Sequence, residues 1–490
     1  MKTLYKISFC LFLSLITLSC KKWVDVKPND RLSEDQLFVN KEGYMKALNG
    51  VYVELANNSL YGQNMTTGAV DVLAQYYYMN SSVHTFYNYT TFVYTDANVK
   101  ITFDNTWKKA YELIANCNVI LEKCGDAPSN VLPEPYFSII KGETLALRAM
   151  LHLDMLRLYG PIYSEENKAK LAIPYVNKTG YEISPIIGSE QVMELVTGDL
   201  KVAMSLLATK DPIRTEGVRS AGNSTGSSDL YYRQYRLNYY AAQALLARAY
   251  LWQGKKPEAL EQAETLLAEV QSTTKTIFPY VTSANATSVD KPDRMFSTEV
   301  IFSLYKINRK LMYEKLFDVA LQPNSKLSFS NNDVNQERVN SIYDDANDYR
   351  RRVWQSASSG ATTATTNMKF VDIVDAPGRY MMPLVRLSEV LLIAAECQPE
   401  LTKGIEYFNK LRTARNCVSL TPTSSALLKT EIGKEYRREM LGEGQMFFFY
   451  KRSSYLSVPN HATVRITPEK AMSLTNYTVP LPDSEISTRK

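Results

Sequence analysis

Only three histidines, His84, His152 and His461, are available for acid–base or metal chemistry in this 490-residue chain, and no two of them stand three or four residues apart. A zinc site of the His-x-x-x-His kind is therefore absent. His152 falls inside an apolar helical pattern, where a hydrogen-bonded structural imidazole is the simpler reading. No phosphate-binding loop is present, and no Gly-x-Ser-x-Gly string stands at a strand-to-helix turn. The groups Arg386/Glu389 and Arg438/Glu439 with Glu443 contain the carboxylates an acid–base pair needs. At i, i+3 and i+4 spacing, however, such charges commonly pair along a helix or tie helices together. They are read as structural, and the chain as a non-enzyme needing no cofactor or metal.

The more suggestive residues are aromatic. There are 33 Tyr beside 17 Phe and 4 Trp. Most fit half-buried helix positions, ring inside and hydroxyl to water. Within 71–105, however, many aromatics are interspersed with Asn and hydroxyl residues and lack helical periodicity. Rings there can cover the apolar face of a sugar or a peptide side chain while amides read polar groups. The candidates for ligand contact are Tyr76, Tyr78, Asn80, Tyr87 and Tyr89, with Tyr313 from a second irregular region.

The elements that must position them begin with an address. Lys2 and Lys6 precede an apolar run that is too short to span a bilayer and ends at Thr17-Leu18-Ser19-Cys20, so 1–19 reads as an export signal. A small residue before a Cys resembles a bacterial lipobox, making Cys20 the expected site of lipidation. At about 0.8 kcal/mol per buried CH₂, several acyl chains hold a protein at a membrane without a spanning helix. A polar tether follows over 20–41, and 42–490 is expected to form one body, a helical part over 42–275 and an irregular region with C-terminal helices over 276–490.

The formal charge of +5 falls by two when the leader leaves, and Arg350-Arg351-Arg352 follows Asp344, Asp345 and Asp348, so nucleic acid is not an expected partner. Cys117 and Cys124 lie about 10.5 Å apart on a predicted helix, too far for a disulfide.

Helical patterning predicts elements over 42–57, 105–124, 136–160 and 189–208. Residues 236–269 have the order of a tetratricopeptide hairpin: small Ala241, Ala244, Ala247 and Ala249, then a turn at Gly254, then Ala259, Leu260, Ala263 and Leu267. Residues 386–416 follow a similar plan. One hairpin cannot bury its own apolar face, so several stack into a mainly α scaffold. The stretches 217–229 and 356–367 read as exposed Gly/Ser/Thr loops, and EVIFSLY at 299–305 as a strand.

Several of these segments together resemble the SusD/RagB family of outer-membrane nutrient-binding lipoproteins. They are Cys20 followed by Trp23 and a Pro-containing tether, KGETLALRAMLHLDMLRLYGPI (141–162), RLSEVLLIAAEC (386–397) with LRTARN (411–416), EIGKEYRREMLGEGQMFFFYKR (431–452), and YTVPLPDSEI (477–486). Many relatives carry an aromatic-aromatic-Asp-Leu run after the Glu-Gly pair; here Gln445-Met446-Phe447-Phe448-Phe449-Tyr450 stands instead, the mark of a different subgroup. The resemblance implies a SusD-like fold and a lipid anchor at the outer membrane. It also implies capture of an oligosaccharide or peptide for a SusC-like TonB-dependent barrel, over which the protein acts as a lid. A helical-repeat scaffold of the cell envelope is the alternative.

Overall fold

The computed structural model of the protein describes residues 34–219, 229–272, 274–330, 336–360 and 362–489. The leader, Cys20, most of the tether and most of the loop 217–229 lie outside the described residues.

Helix α1 (Lys41–Leu55) starts where the Asn40 side chain accepts from the Gly43 N–H. Helix α2 (Ala97–Cys124) starts ahead of the predicted position 105 because Asp96 caps it, accepting from the N–H groups of Asn98 and Val99. Val99, Phe103, Thr106, Trp107 and Ala110 carry its buried stripe from the first turn. The Asn, Lys and Asp between them mask that stripe in the sequence. Helix α3 (Tyr136–Tyr159) is buried on every side except at Tyr136 and Lys141. It is therefore the central helix, and its polar residues need partners.

Those partners come from all around it. Glu143 accepts from the Tyr52 hydroxyl at 2.7 Å and pairs with Arg233. Arg148 clasps Asp199 with two 2.8 Å bonds, and Asp154 accepts from the Tyr61 hydroxyl at 2.7 Å and pairs with Arg157. His152 is fully buried: Nδ1 lies 2.9 Å from the Arg148 carbonyl, Nε2 accepts from the Val176 N–H at 3.0 Å, and the ring stacks on Tyr175 at 3.9 Å. The structural reading of this histidine agrees with that geometry. At the C-terminus of α3, the buried Lys451 Nζ donates to the Gly160 carbonyl at 2.6 Å, while burial, then Arg157, push its pKa well below the ordinary lysine value.

The scaffold continues by successive packing. Helix α4 (Ser189–Leu207) lies between α3 and α5 (Tyr239–Trp252), and α5 forms a hairpin with α6 (Lys256–Val270). Helix α6 packs on α7 (Leu387–Cys397), which pairs with α8 (Leu401–Ala414) and also touches α9 (Ser425–Glu439). A short α10 (Met446–Arg452) follows. Ala241, Ala244, Ala247 and Ala249 are all buried, as close helix packing requires. The fold is mainly α.

Strands are few and short. β1 (Leu171–Pro174) pairs with β2 (Ile186–Gly188), and β3 (Val300–Tyr305) pairs antiparallel with β7 (Met381–Arg386), almost entirely buried. The expected strand at 299–305 is β3. The expected loop at 356–367 is instead a hairpin of β5 (Trp354–Ser359) and β6 (Thr362–Asn367), with β4 (Ser328–Ser330) on the other side of β6. Small polar composition suggested a loop there, but threonine is β-branched and favours strands, and Thr365 and Thr366 are buried. One hydrophobic cluster runs from Tyr44 to Val479 through both the helices and the β3–β7 pair.

Cys117, Cys124, Cys397 and Cys417 are buried free thiols, each pushed up to about 12 by burial, which makes them poor nucleophiles. Among the described residues no helix is long and apolar enough to cross a membrane.

Candidate functional site

The carboxylates that could have served catalysis are locked into ion pairs. Glu439, at the end of α9, accepts from Arg415 at 2.6 Å and Arg350 at 2.8 Å and pairs with Arg386. Burial alone would raise its pKa, but these three guanidiniums hold it well below the usual carboxylate range. Glu443 pairs with Arg386 and Lys369, Glu389 with Arg248, and Arg438 with Glu435. Each pair joins different elements or lies deep in the core, so these groups are structural ties rather than a poised acid and base. Arg350, whose run follows Asp344, Asp345 and Asp348 in the sequence, is buried inside this network and pairs with Asp348 at 2.7 Å.

The network holds a turn that supports the aromatic segment. Gly442 and Gly444, with φ of +77° and +68°, aim their N–H groups at the buried Asp71 carboxyl at 2.6 and 3.2 Å. A β-carbon at 444 would fall 1.9 Å from the Met65 carbonyl oxygen, so only glycine fits. Burial outweighs the two N–H donors and pushes Asp71 up to about 8.

From this anchor the chain enters the core before it emerges. Tyr76 is 1% exposed; its hydroxyl donates to the Arg437 carbonyl at 2.8 Å, and the Arg437 guanidinium covers its ring. Tyr89 is 5% exposed, its hydroxyl 2.6 Å from Thr102 Oγ1, and Tyr313 is 9% exposed, with its hydroxyl on the Met368 sulfur and its ring beside Phe317. The rings of these three candidates are packed in the core.

The other three reach the surface. The Tyr78 N–H donates to the Ser328 carbonyl, Met79 to His461 and Thr85 to Asn324, at 2.7–2.9 Å, so the loop is stitched to two distant segments. Tyr78 and Tyr87 remain half-buried and Asn80 exposed, beside Val83, which is 70% exposed. The Tyr87 ring meets His461 edge-on at 6.1 Å. Burial, then Lys470 and Arg338, lower His461 to about 3, so it stays neutral.

A second aromatic surface was not legible in the sequence. Tyr305, at the end of β3, is 50% exposed and lies between Tyr235 and Tyr380, with ring centroids 5.6 and 5.1 Å away. Arg379 sits 5.0 Å over Tyr380, held by two bonds to Asp372. Exposed Ile307 and Leu311 follow Tyr305 in the chain. These rings come from three segments about 70 residues apart, and only the β3–β7 register brings 305 and 380 together. The one local signal is that Tyr305 ends a strand whose other five residues are all buried.

Residues 221–489 match the SusD family model. The chain belongs to the SusD family. A second model, described as starch-binding associating with outer membrane, matches residues 22–251. The segments that carried the resemblance have physical roles in this SusD-family chain: 141–162 forms the central α3, and 431–452 forms α9, the Gly442–Gly444 turn and α10.

The chain is 21% identical over 313 residues to SusD-like protein P25 of Formosa agariphila, a match covering 60% of this chain and 50% of that protein. It thus spans half the length of this curated relative. Among solved structures it is similar to a SusD superfamily protein from Bacteroides thetaiotaomicron (TM-score 0.70, 21% identity, covering 92% of this chain and 98% of that one). It is also similar to a SusD-like carbohydrate binding protein from Bacteroides vulgatus (TM-score 0.67, 18% identity, covering 92% and 96%). These likenesses show the fold.

Proposed function

We propose that this SusD-family protein is a lipid-anchored glycan-binding protein of the outer membrane that delivers its ligand to a SusC-like TonB-dependent barrel and closes over it. The observation that carries the binding part is the tyrosine cluster in which exposed Tyr305 meets half-buried Tyr235 and Tyr380. Planar rings held in place by neighbours stack on a sugar face at little entropic cost. Tyr78, Asn80 and Tyr87 form a further contact surface, in which rings and an amide combine. The name of the Bacteroides vulgatus structure and the description of the second family model favour a glycan over a peptide. Cys20 carries the anchor in this reading.

The test is a binding screen of the purified chain over neutral and acidic glycans and peptides, with Tyr305→Ala as control. Glycan binding that this substitution weakens supports the reading; binding of peptides alone overturns it. Co-purification with a large outer-membrane barrel, and loss of acyl label in Cys20→Ala, test the partner and the anchor.

A further inference from the structure

Helix α9 turns one stripe, Thr430, Gly433, Lys434, Arg437 and Arg438, toward a cavity of about 660 Å³. The short helix Glu337–Ile342 walls one side, and Tyr450, Tyr455 and the segment 457–469 wall the other. That volume lies within the range of small-molecule sites, roughly 300–1,000 Å³.

The charges lining it are unevenly satisfied. Arg438 pairs with Glu435 at 2.9 Å and Asp344 at 3.3 Å. Arg437 is 5% exposed yet makes no ion pair among the described residues. It donates to the carbonyls of Ala74 and Gln75 and to the Tyr450 hydroxyl, and its Nε has no partner. The acidic lining residues are already engaged: Asp344 with Arg412 and Arg438, Glu337 with Arg465, Glu469 with the Ser457 hydroxyl. Lys434 adds a cation at the rim, paired with Glu431 outside the lining. A buried cation without a counter-charge is costly, and an anion in the cavity removes that cost.

The cavity also has a ring. A β-carbon on Gly433 would fall 2.6 Å from the Tyr455 hydroxyl, so the missing side chain lets the half-buried Tyr455 lean over α9 beside Arg437. Thr430, Ser457 and Thr467 supply hydroxyls around it.

We propose that this cavity binds a sugar unit carrying an anionic group, a uronate carboxylate or a sulfate ester, with the anion compensating Arg437 and the ring against Tyr455. The proposal rests on the glycan-binding reading above for the saccharide and adds a site separate from the Tyr305 cluster. It is tested by calorimetry on the purified chain with tri-galacturonate, a sulfated galactotriose and neutral galactotriose. The expected result is at least tenfold tighter binding of one or both anionic trimers, with the two arms identifying which anion. Thr430→Trp, at an exposed lining position, fills the cavity and should erase that preference without lowering the melting temperature; Tyr305→Ala should leave it intact. Equal binding of the neutral trimer, or a preference that survives Thr430→Trp, overturns the proposal while leaving the Tyr305 reading standing. Absence of binding by every trimer and every glycan screened overturns both.

Discussion

The carboxyl of Asp71 accepts the Gly442 N–H at 2.6 Å across 371 residues of chain, joining the start of the aromatic segment to the turn after α9. Removing it leaves two buried donors, Gly442 and Gly444, without an acceptor. Asp71→Ala should therefore cost about 2–4 kcal/mol by denaturant titration.

The same group sets a pH dependence. The folded state keeps a proton on Asp71 up to about pH 8, whereas the unfolded chain releases it near 4. Folding is thus linked to proton uptake between those values, and this contribution to stability falls as pH rises from 4 to 8. Asp71→Asn should flatten that slope; denaturation midpoints at pH 5 and pH 8 check it.

His152 and His461 act with the opposite sign. Both are lowered to about 3, chiefly by burial, so below pH 6.5 the unfolded chain takes up protons that the folded chain refuses. Stability should decline from pH 6.5 toward 3, and His461→Gln should reduce the decline. Calorimetric melting at pH 4.5 and 7 measures it.

Glu439 is the hub of three guanidiniums. Glu439→Gln leaves Arg415, Arg386 and Arg350 short of counter-charge and should destabilise by about 3–5 kcal/mol. Combining it with Arg386→Met should cost less than the sum of the two, because they share one network. A double-mutant cycle in urea reads this directly.

Exposure separates the tyrosines. Tyr305→Ala should weaken glycan binding about tenfold or more, a loss of roughly 1.4 kcal/mol, with little change in melting temperature. Tyr76→Ala should instead lose about 3–5 kcal/mol of stability as an aromatic core truncation. Paired calorimetry and thermal melts on the two variants distinguish binding from packing.

Helical repeats were legible because their periodicity is local: α3, α4 and the α5–α6 hairpin begin and end close to where apolar spacing and glycines place them. The start of α2 was obscured by polar residues on its exposed face, and the β5–β6 hairpin by reading Thr with Ser and Gly. In the aromatic segment, Tyr78 and Tyr87 are half-buried and Asn80 exposed. Tyr76 and Tyr89 share the composition of that segment yet face inward, because direction within an irregular segment depends on backbone bonds such as those that Tyr78 and Met79 donate to the Ser328 and His461 carbonyls. Tyr235, Tyr305 and Tyr380 meet only through a strand pairing, which no local window contains.

The Lys451 side chain on the end of α3 has a consequence for assembly. The central helix is finished by a residue made nearly 300 positions later. Until then its last carbonyls, and the core around them, wait for α10. A chain emerging from its N-terminus cannot complete this middle early, and contacts so distant in sequence close slowly. Such a polypeptide gains its finished centre only once nearly the whole chain is available.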